Sequence, residues 1–461
     1  MRAMGRAVVD MIAEHVSTLS AQPVGAKADP AEMMAKLREP VPESGMDFAP
    51  LLAQISRDVL ANKLHVNHPR FFAYVPGPGN FAGAMADALA SGFNVFAGTW
   101  LSASGPAAVE MVTIDWLRQL CGFDDSAGGL FVSGGSMANL TALAVARRVK
   151  LADRLDGAVV YCCDQAHSSL ERALRLLGFL PHQIVKLPAD VAFRMPMAEL
   201  AKRVLADRAL GLRPFCVVAT AGTTNTGAID PLPELAQLCR EHDLWLHVDG
   251  AYGAAAVICE RGKSLLGGLE LADSLALDPH KWLFQPFECG CLLLRDARYL
   301  RETFQILPDY MRDAHDSGEL NYADMGIQLS RGFRALKLWM SLKLFGLDAF
   351  RAAIARGFVL AELAEAEFRA LDGWEIVSPA HLGIVCFAHK SGDDTFHLEM
   401  VQRMIVDGFA LATSTALRGR TVLRMCTINP RTTEDDIRMT VRKLDELAEA
   451  RVTPPAPPRA G

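Results

Sequence analysis

The sequence predicts an α/β protein: a large domain with a mostly parallel sheet, a small C-terminal α+β domain and an N-terminal helical arm. Three observations predict it. Apolar runs of strand length alternate with helical segments in the middle of the chain, helical patterns broken by loops fill the first part, and the alternation stops near residue 345. Strands that alternate with helices are typical of βαβ units and parallel sheets.

The N-terminal arm is expected to cover residues 1–76. Its opening segment predicts an amphipathic helix, because apolar residues recur there at helical spacing, namely Val8, Val9, Ile12 and Val16. The segments "QPVGAKADP" and "EPVPESG" then mark loops. A helix joined to the rest of the chain by a proline-rich segment often packs on a neighbouring domain or subunit. Here a second subunit is the candidate.

The large domain is expected to span residues 77–345. Apolar runs lead into helical segments there: "GLFVSGG" into "SMANLTALAVARRVK", "AVVYCCD" into "SSLERALRLLG", and "FCVVATAG" into "LPELAQLCREH", before "LWLHVDGAY". In parallel sheets, ligands bind beyond the carboxyl ends of the strands. The polar residues that follow these runs are therefore the first candidates for a site.

The small domain is expected to span residues 346–452. A helical segment from about residue 346 to 371 precedes the apolar runs "GIVCFAH" and "TVLRMCTI", and a charged helix ends the region. The remaining residues, 453–461, read "TPPAPPRAG" and predict a disordered tail.

Composition and charge argue against several classes of protein. Hydrophobic residues make up 51% of the 461 residues and charged residues 22%, which argues against global disorder. The net charge is -6 and the basic residues are scattered, so no nucleic-acid or membrane surface is expected. Asp10 and Glu14 interrupt the N-terminal segment, which is therefore not a secretory signal, and no run approaches the ~20 apolar residues of a membrane span.

The number of cysteines predicts reduced thiols rather than a disulfide scaffold. Ten cysteines are too sparse for a disulfide framework in a chain of this length, so a reducing cytoplasm is expected. Cys289 and Cys291 form a C-x-C pair, but no second pair at zinc spacing accompanies it, and no metal is expected.

Asp249 and Lys281 are the first candidate pair. Asp249 closes the apolar run of "LWLHVDGAY", and Lys281 lies in "LALDPHKWLFQP", after the next one. A carboxylate and an amine on nearby strands fit a pyridoxal phosphate site, where the lysine forms a Schiff base and the carboxylate keeps the ring nitrogen protonated. An N-cap or a salt bridge is the structural alternative for the aspartate.

The segment "SGGSMANL" predicts a cradle for the phosphate. Gly134 and Gly135 allow close approach of the backbone, Ser136 supplies a hydroxyl, and a helix begins there. Helix N-termini bind anions through free N–H groups and the macrodipole. An ordinary strand-to-helix turn is the alternative. The spacing G-x-x-x-x-G-K-[ST] of a Walker phosphate-binding loop is absent.

Two further strand ends carry candidates. His167 follows a strand in "CCDQAHSSLERA", where its ring could stack on the cofactor or could simply cap a helix. Thr223 and Thr224 follow another in "TAGTTNTGAIDPL", where a hydroxyl could bond the cofactor's phenolic oxygen or could only shape the turn.

These motifs together resemble those of the group II pyridoxal-phosphate decarboxylases, and within them the aromatic L-amino-acid decarboxylases. The resemblance runs from near residue 5 to near residue 445 and is carried by five segments in the family's order: "SGGSMANLTAL", "DQAHSSLERA", "HVDGAY", "DPHKW" and "RGFRALKLW". It implies the fold type I, or aspartate aminotransferase-like, architecture of the pyridoxal-phosphate-dependent transferases.

The resemblance also implies roles around the cofactor ring. Lys281 would carry the Schiff base and Asp249 would pair with the pyridine nitrogen. Ala251 and His167 would lie on opposite faces of the ring, and Thr224 would contact its oxygen.

At the phosphate, the resemblance implies Gly135, Ser136 and His280 as ligands. Asp278 stands beside them where the family often has asparagine. A second carboxylate would repel the phosphate unless another donor compensates, so the role of Asp278 is left open.

The resemblance places Tyr310, in the polar segment "PDYMRDAHDSGELNYADMG", where the family has the tyrosine of a mobile loop that returns a proton to the substrate. A plain surface loop is the alternative.

The substrate pocket is implied by the segment "HPRFFAYVPGPGNF", which makes Tyr74, Val75 and Pro76 candidate walls. Phe96 and Trp100 are candidates contributed by a partner subunit, with core packing as the equal alternative. Glycines stand at positions 77 and 98, where some relatives have larger residues, so the pocket is expected to be reshaped.

The function implied is decarboxylation of aromatic L-amino acids by a homodimer whose subunits share their active sites. The alternatives are an aromatic acetaldehyde synthase, a decarboxylase of an acidic amino acid, a transaminase and a non-enzymatic binding protein. Tyr310 favours simple decarboxylation over aldehyde synthesis, and no extra cation is evident for an acidic side chain.

Overall fold

The computed structural model describes residues 1–306, 309, 313 and 319–452. The chain divides into two compact units. One contains residues 1–76, 359–379 and the chain from residue 384 onward, and the other contains residues 77–358 and 380–383. The division into an arm, two domains and a tail stays a prediction. Among the described helices, none is both long and apolar enough to cross a membrane.

The helices, in chain order, are α1 (Arg2–Thr18), α2 (Pro30–Leu37), α3 (Phe48–Gln54), α4 (Phe81–Gly92), α5 (Trp100–Leu120), α6 (Gly135–Leu151), α7 (Ser168–Leu176), α8 (Met197–Ala209), α9 (Leu232–Glu241), α10 (Glu260–Leu265), α11 (Arg298–Phe304), α12 (Ala335–Arg369), α13 (Asp394–Asp407) and α14 (Glu434–Val452). A π-helical segment, Ile55–Leu60, follows α3 directly. Helix α12 is interrupted at Gly346, whose φ of 75° is left-handed.

The strands are β1 (Gly128–Val132), β2 (Ala158–Cys163), β3 (Ile184–Leu187), β4 (Arg213–Thr220), β5 (Trp245–Asp249), β6 (Ser274–Leu277), β7 (Gly290–Leu294), β8 (Trp374–His381), β9 (Ile384–His389), β10 (Thr413–Leu417) and β11 (Arg420–Cys426). In the larger unit, the described residues form a seven-stranded sheet in the order β1-β7-β6-β5-β4-β2-β3. Neighbours from β6 through β3 run parallel, and β7 is antiparallel to both β6 and β1.

Helix α6 supplies much of the core of this unit. Ala138, Ala142, Leu143, Val145 and Ala146 are buried in one cluster with apolar residues of the central strands. Its small alanines allow the helix to approach the sheet closely, which holds the first turn of α6 at the edge where the strands end.

The smaller unit has a four-stranded sheet in the order β10-β11-β9-β8, and β11 pairs antiparallel with both β10 and β9. Its core includes Phe368 stacked on Phe387 with 3.8 Å between ring centroids, and the indole of Trp374 donates a hydrogen bond to Asp445. The fold class predicted from the sequence is confirmed: a mostly parallel sheet with helices, and a second unit with a small antiparallel sheet.

Candidate active site

The carboxyl ends of adjacent parallel strands meet at one edge of the large sheet. Thr220 of β4 is in register with Asp249 of β5, and Asp249 is in register with Ala276 of β6. A cavity of about 390 Å³ opens at this edge. All nine predicted cofactor residues line it: Gly135, Ser136, His167, Thr224, Asp249, Ala251, Asp278, His280 and Lys281.

Lys281 reaches the cavity from a tight turn after β6. Its backbone N–H donates to the carbonyl of Asp278 at 2.9 Å. The next residue, Trp282, is completely buried and stacks on Tyr252 with 5.2 Å between ring centroids. The buried indole anchors the turn and so presents the lysine amine to the cavity, where its Nζ lies 3.2 Å from Asp278 Oδ2.

Asp249 is a buried carboxylate held by two donors. Its Oδ2 accepts from Asn139 Nδ2 at 3.0 Å, and its Oδ1 accepts from the backbone N–H of Ala251 at 3.2 Å. These hydrogen bonds keep the carboxyl group oriented at the cavity, where it can pair with a protonated ring nitrogen.

The donor directions of the surrounding network follow from Asp249. Because a carboxylate only accepts, the Asn139 amide donates to it, and Asn139 Oδ1 must then accept from His247 Nε2 at 2.9 Å. Burial holds the pKa of His247 well below its ordinary value, so this histidine is neutral. Its Nδ1 is therefore an acceptor, which takes a hydrogen bond from Ser274 Oγ at 2.8 Å.

A second branch of this network fixes the tautomer of His167. Asn139 Nδ2 also donates to Ser169 Oγ at 3.0 Å, so the Ser169 hydroxyl hydrogen is directed at His167 Nδ1, 2.8 Å away. The backbone N–H of Ser169 donates to the same nitrogen at 3.2 Å. Partial removal from water lowers the pKa of His167, so its ring is neutral with the hydrogen on Nε2.

Another part of the cavity wall is built around the first turn of α6. A Cβ atom on Gly135 would lie 2.9 Å from Asp278 Oδ2 and 3.0 Å from the Cβ of Ala251, so a side chain there would fill the cradle. His280 Nδ1 lies 2.8 Å from the carbonyl oxygen of Cys289 and 3.2 Å from its amide nitrogen, which orients the ring. Burial lowers the pKa of His280.

Threonines 223 and 224 separate in the structure. Thr223 Oγ1 lies 2.8 Å from Thr226 Oγ1 and belongs to the turn, whereas Thr224 lines the cavity. Shaping the turn was the alternative for both threonines, and the structure gives that role to Thr223.

These residues fit pyridoxal phosphate. The cavity is lined by an amine, a fixed carboxylate, and a helix N-terminus with a hydroxyl and an imidazole. Among the described residues, Asp278 Oδ1 is a buried oxygen without a hydrogen-bond partner.

The predicted substrate residues are not among the described residues that line this cavity. Tyr74, Val75 and Pro76 belong to the smaller unit, and Trp100 packs against the core cluster of the larger one. Phe96 is half-buried, and its ring is 2.6 Å from where a Cβ on Gly98 would stand. Their substrate roles stay predictions, and Tyr310 lies outside the described residues.

The sequence did not identify the residues that orient Asp249 and His167. Asn139 and Ser169 connect Asp249 with His167, and both are almost completely buried. For Asn139 the sequence carried one indication. It lies between Ala138 and Thr141–Ala142 on the buried face of α6, where a side-chain amide needs hydrogen-bond partners.

Comparison with known proteins gives one consistent result. The pyridoxal-dependent decarboxylase conserved domain matches residues 30–390. An aromatic-L-amino-acid decarboxylase from Bacillus atrophaeus is 48% identical over 97% of this chain and 95% of its own. A 4-hydroxyphenylacetaldehyde synthase from Rhodiola rosea is 30% identical over 93% of this chain and 90% of its own.

Among solved structures, that of Oryza sativa TDC with PLP and tryptamine superposes with a TM-score of 0.93 at 29% identity. The match covers 98% of each chain, so the similarity extends to both units.

Proposed function

Because the chain belongs to the pyridoxal-dependent decarboxylase family, we propose that it converts aromatic L-amino acids such as Tyr, DOPA, Phe and Trp to arylethylamines and carbon dioxide. It is a carboxy-lyase that works with pyridoxal phosphate. The observation that carries the proposal is the cavity that brings Lys281, Asp249 and His167 together at one sheet edge.

The residues divide into those that hold the ring and those that hold the phosphate. Asp249 would keep a proton on the ring nitrogen, because its two donors already fix its orientation. Ala251 and His167 would cover the two faces of the ring, and Thr224 would bond its oxygen. The phosphate would lie at the first turn of α6, beside Gly135, Ser136 and His280.

Bound at this site, the cofactor supplies an electron-poor ring that takes up the electron pair left when the carboxylate departs. The chain's contribution is to bind and orient. Lys281 attaches the cofactor through its amine, and the neutral His167 offers an Nε2–H without adding a positive charge that would hold the substrate carboxylate in place. Tyr310 is proposed to return the proton to the α-carbon.

The alternative outcome is oxidative conversion to an aldehyde, as the name of the Rhodiola rosea relative indicates for that protein. Tyr310 favours simple decarboxylation. An aldehyde synthase would consume oxygen and release ammonia and hydrogen peroxide in proportion to carbon dioxide, whereas a decarboxylase would release the amine.

We also propose that the protein is a cytoplasmic homodimer with shared active sites. The exposed apolar residues of α1 support an intersubunit role for the arm, since Met4, Val8 and Val9 are 46%, 38% and 39% exposed. The ten cysteines are free and buried, which is compatible with a reducing compartment.

The function is tested with purified protein, pyridoxal phosphate and a panel of Phe, Tyr, DOPA, Trp and Glu. We expect carbon dioxide and the matching arylethylamine from at least one aromatic substrate and none from Glu. Lys281→Ala should abolish product, while Lys263→Ala, at an exposed lysine, should retain it. Amine from Glu alone, or product from the Lys281 variant, would contradict the proposal.

A further inference from the structure

Trp245, His247 and Asp249 alternate along β5, so their side chains lie on the same face of the strand. The neighbouring strand, β6, begins with Ser274, which is in register with His247 and, like it, completely buried. The indole Nε1–H of Trp245 donates to Ser274 Oγ at 2.8 Å, and the same oxygen lies 2.8 Å from His247 Nδ1. Trp245 and Ser274 are not among the described residues that line the cavity, yet a hydrogen-bonded row leads from them to Asp249.

The indole sets the direction of the hydrogen bonds in this row. An indole N–H can only donate, so Ser274 Oγ accepts from Trp245 and its own hydrogen is left for His247 Nδ1. A neutral imidazole that accepts on Nδ1 carries its hydrogen on Nε2, which donates to Asn139 Oδ1 at 2.9 Å. The amide nitrogen of Asn139 then faces Asp249 Oδ2 at 3.0 Å. When the row is followed from the indole, no charge on Asp249 has to be assumed.

The reversed row would leave a buried donor without a partner. With the hydrogen on His247 Nδ1, this N–H and the indole N–H of Trp245 would both point at Ser274 Oγ. The hydroxyl hydrogen would then have no acceptor among the described residues, which is unfavourable at a completely buried position. At the other end of the row, the reversed amide of Asn139 would direct its oxygen at Asp249 Oδ2, which is favourable only if the carboxyl group carries a proton.

We propose, on the basis of the proposed function, that Trp245 and Ser274 are positioning residues that keep Asp249 as a hydrogen-bond acceptor for the cofactor's ring nitrogen. They act through His247 and Asn139, because they exclude the reversed row in which Asp249 would be a neutral acid. A carboxylate beside the ring nitrogen favours a proton on that nitrogen, whereas a neutral carboxylic acid does not. The proton on the ring therefore depends on an indole and a hydroxyl outside the cavity lining.

The tautomer of His247 tests the row in cofactor-free protein. Nitrogen-15 spectra of protein labelled at its histidine rings distinguish a protonated ring nitrogen from an unprotonated one, and His247→Gln assigns the signals by their loss. We expect the hydrogen of His247 on Nε2 in the unmodified chain. A hydrogen on Nδ1, or on both nitrogens, would overturn the proposal and leave the proposed function intact.

Ser274→Ala removes the hydroxyl that distinguishes the two directions. In protein loaded with pyridoxal phosphate that carries nitrogen-15 in its ring, the ring-nitrogen resonance of the unmodified chain should lie at the protonated position. In Ser274→Ala it should move toward the unprotonated position. Ser274→Cys restores a weak donor of similar size and should reverse part of this movement. An unchanged resonance in Ser274→Ala would overturn the proposal.

Ser341→Ala is the matched control. Ser341 is also completely buried, and its hydroxyl is hydrogen-bonded to the side chains of Asn80 and Gln285. The ring-nitrogen resonance of this variant should stay at the position of the unmodified chain. Equal movement in both alanine variants would overturn the proposal, since the loss of either buried hydroxyl would then have the same effect. Failure of the unmodified chain to bind pyridoxal phosphate would overturn the proposed function and with it this role, even if His247 has the expected tautomer.

Discussion

Asn139 is the residue on which the orientation of both Asp249 and His167 depends, because its amide donates to Asp249 and to Ser169. Asn139→Leu removes these donors and the acceptor for His247. A hydrogen bond to a charged group contributes about 1.5–3 kcal/mol. We therefore expect pyridoxal phosphate to bind about 10- to 100-fold more weakly, as measured by absorbance titration.

The control for this variant is Thr141→Val on the same helix. The Thr141 hydroxyl donates to the carbonyl of Met137 within α6, so its loss should leave cofactor affinity unchanged. If Asn139→Leu bound the cofactor as tightly as the unmodified chain, the network would have no part in holding Asp249.

His247 makes stability depend on pH. Burial holds its pKa below the ordinary value of 6.5. Below pH 6.5 the unfolded chain takes up a proton that the native state excludes, so this residue's contribution to stability is complete above that pH and is lost as the pH falls. The loss approaches about 1.4 kcal/mol per pH unit.

Denaturant unfolding between pH 7 and pH 5 measures this slope. His247→Gln should reduce the slope by close to the value for one proton, about 1.4 kcal/mol per pH unit. His182→Gln, at an exposed histidine, should leave the slope unchanged. An unchanged slope in His247→Gln would show that the proton is excluded elsewhere.

At the scale of elements, a buried ion pair joins α5 to the segment before α12. Arg331 Nη2 lies 2.6 Å from Glu110 Oε1 and donates to the carbonyl of Phe131 in β1, and both charged side chains are almost completely buried. Glu110→Gln leaves Arg331 as an uncompensated buried charge. We expect a loss of about 3–5 kcal/mol in the free energy of unfolding.

Asp296→Asn is the matched control, since it removes the partner of the exposed Arg298 and should leave the unfolding midpoint unchanged. A midpoint for Glu110→Gln equal to that of the control would contradict this role for the pair.

The sequence predicted the order of strands and helices in the large unit because burial on both faces makes parallel strands continuously apolar. It also predicted which strand ends carry Asp249, Lys281 and His167, since polar residues after such runs stand out. It could not predict the network through Asn139, because those partners are far apart in the chain and meet only when α6 packs on the sheet. That Asp278 Oδ1 has no hydrogen-bond partner within the described part of the chain likewise depends on three-dimensional placement.

At the scale of the whole molecule, the proposed homodimer explains why the N-terminal arm exposes apolar side chains. Within the described chain, α1 has no buried residue although it carries apolar residues at helical spacing. We expect Val8→Glu combined with Val9→Glu to shift the protein from dimer to monomer in sedimentation velocity. Asp10→Asn, which also changes one charge on α1, should remain dimeric, and a dimeric double variant would contradict the role of this face.

The central claim is that Lys281 attaches the cofactor covalently within the cavity at the strand ends. It is tested most directly by reducing the loaded protein with borohydride and locating the modified residue by peptide mass spectrometry. We predict a phosphopyridoxyl group on Lys281 and its absence in Lys281→Ala. Modification of a different lysine, or none in protein that decarboxylates amino acids, would contradict the account.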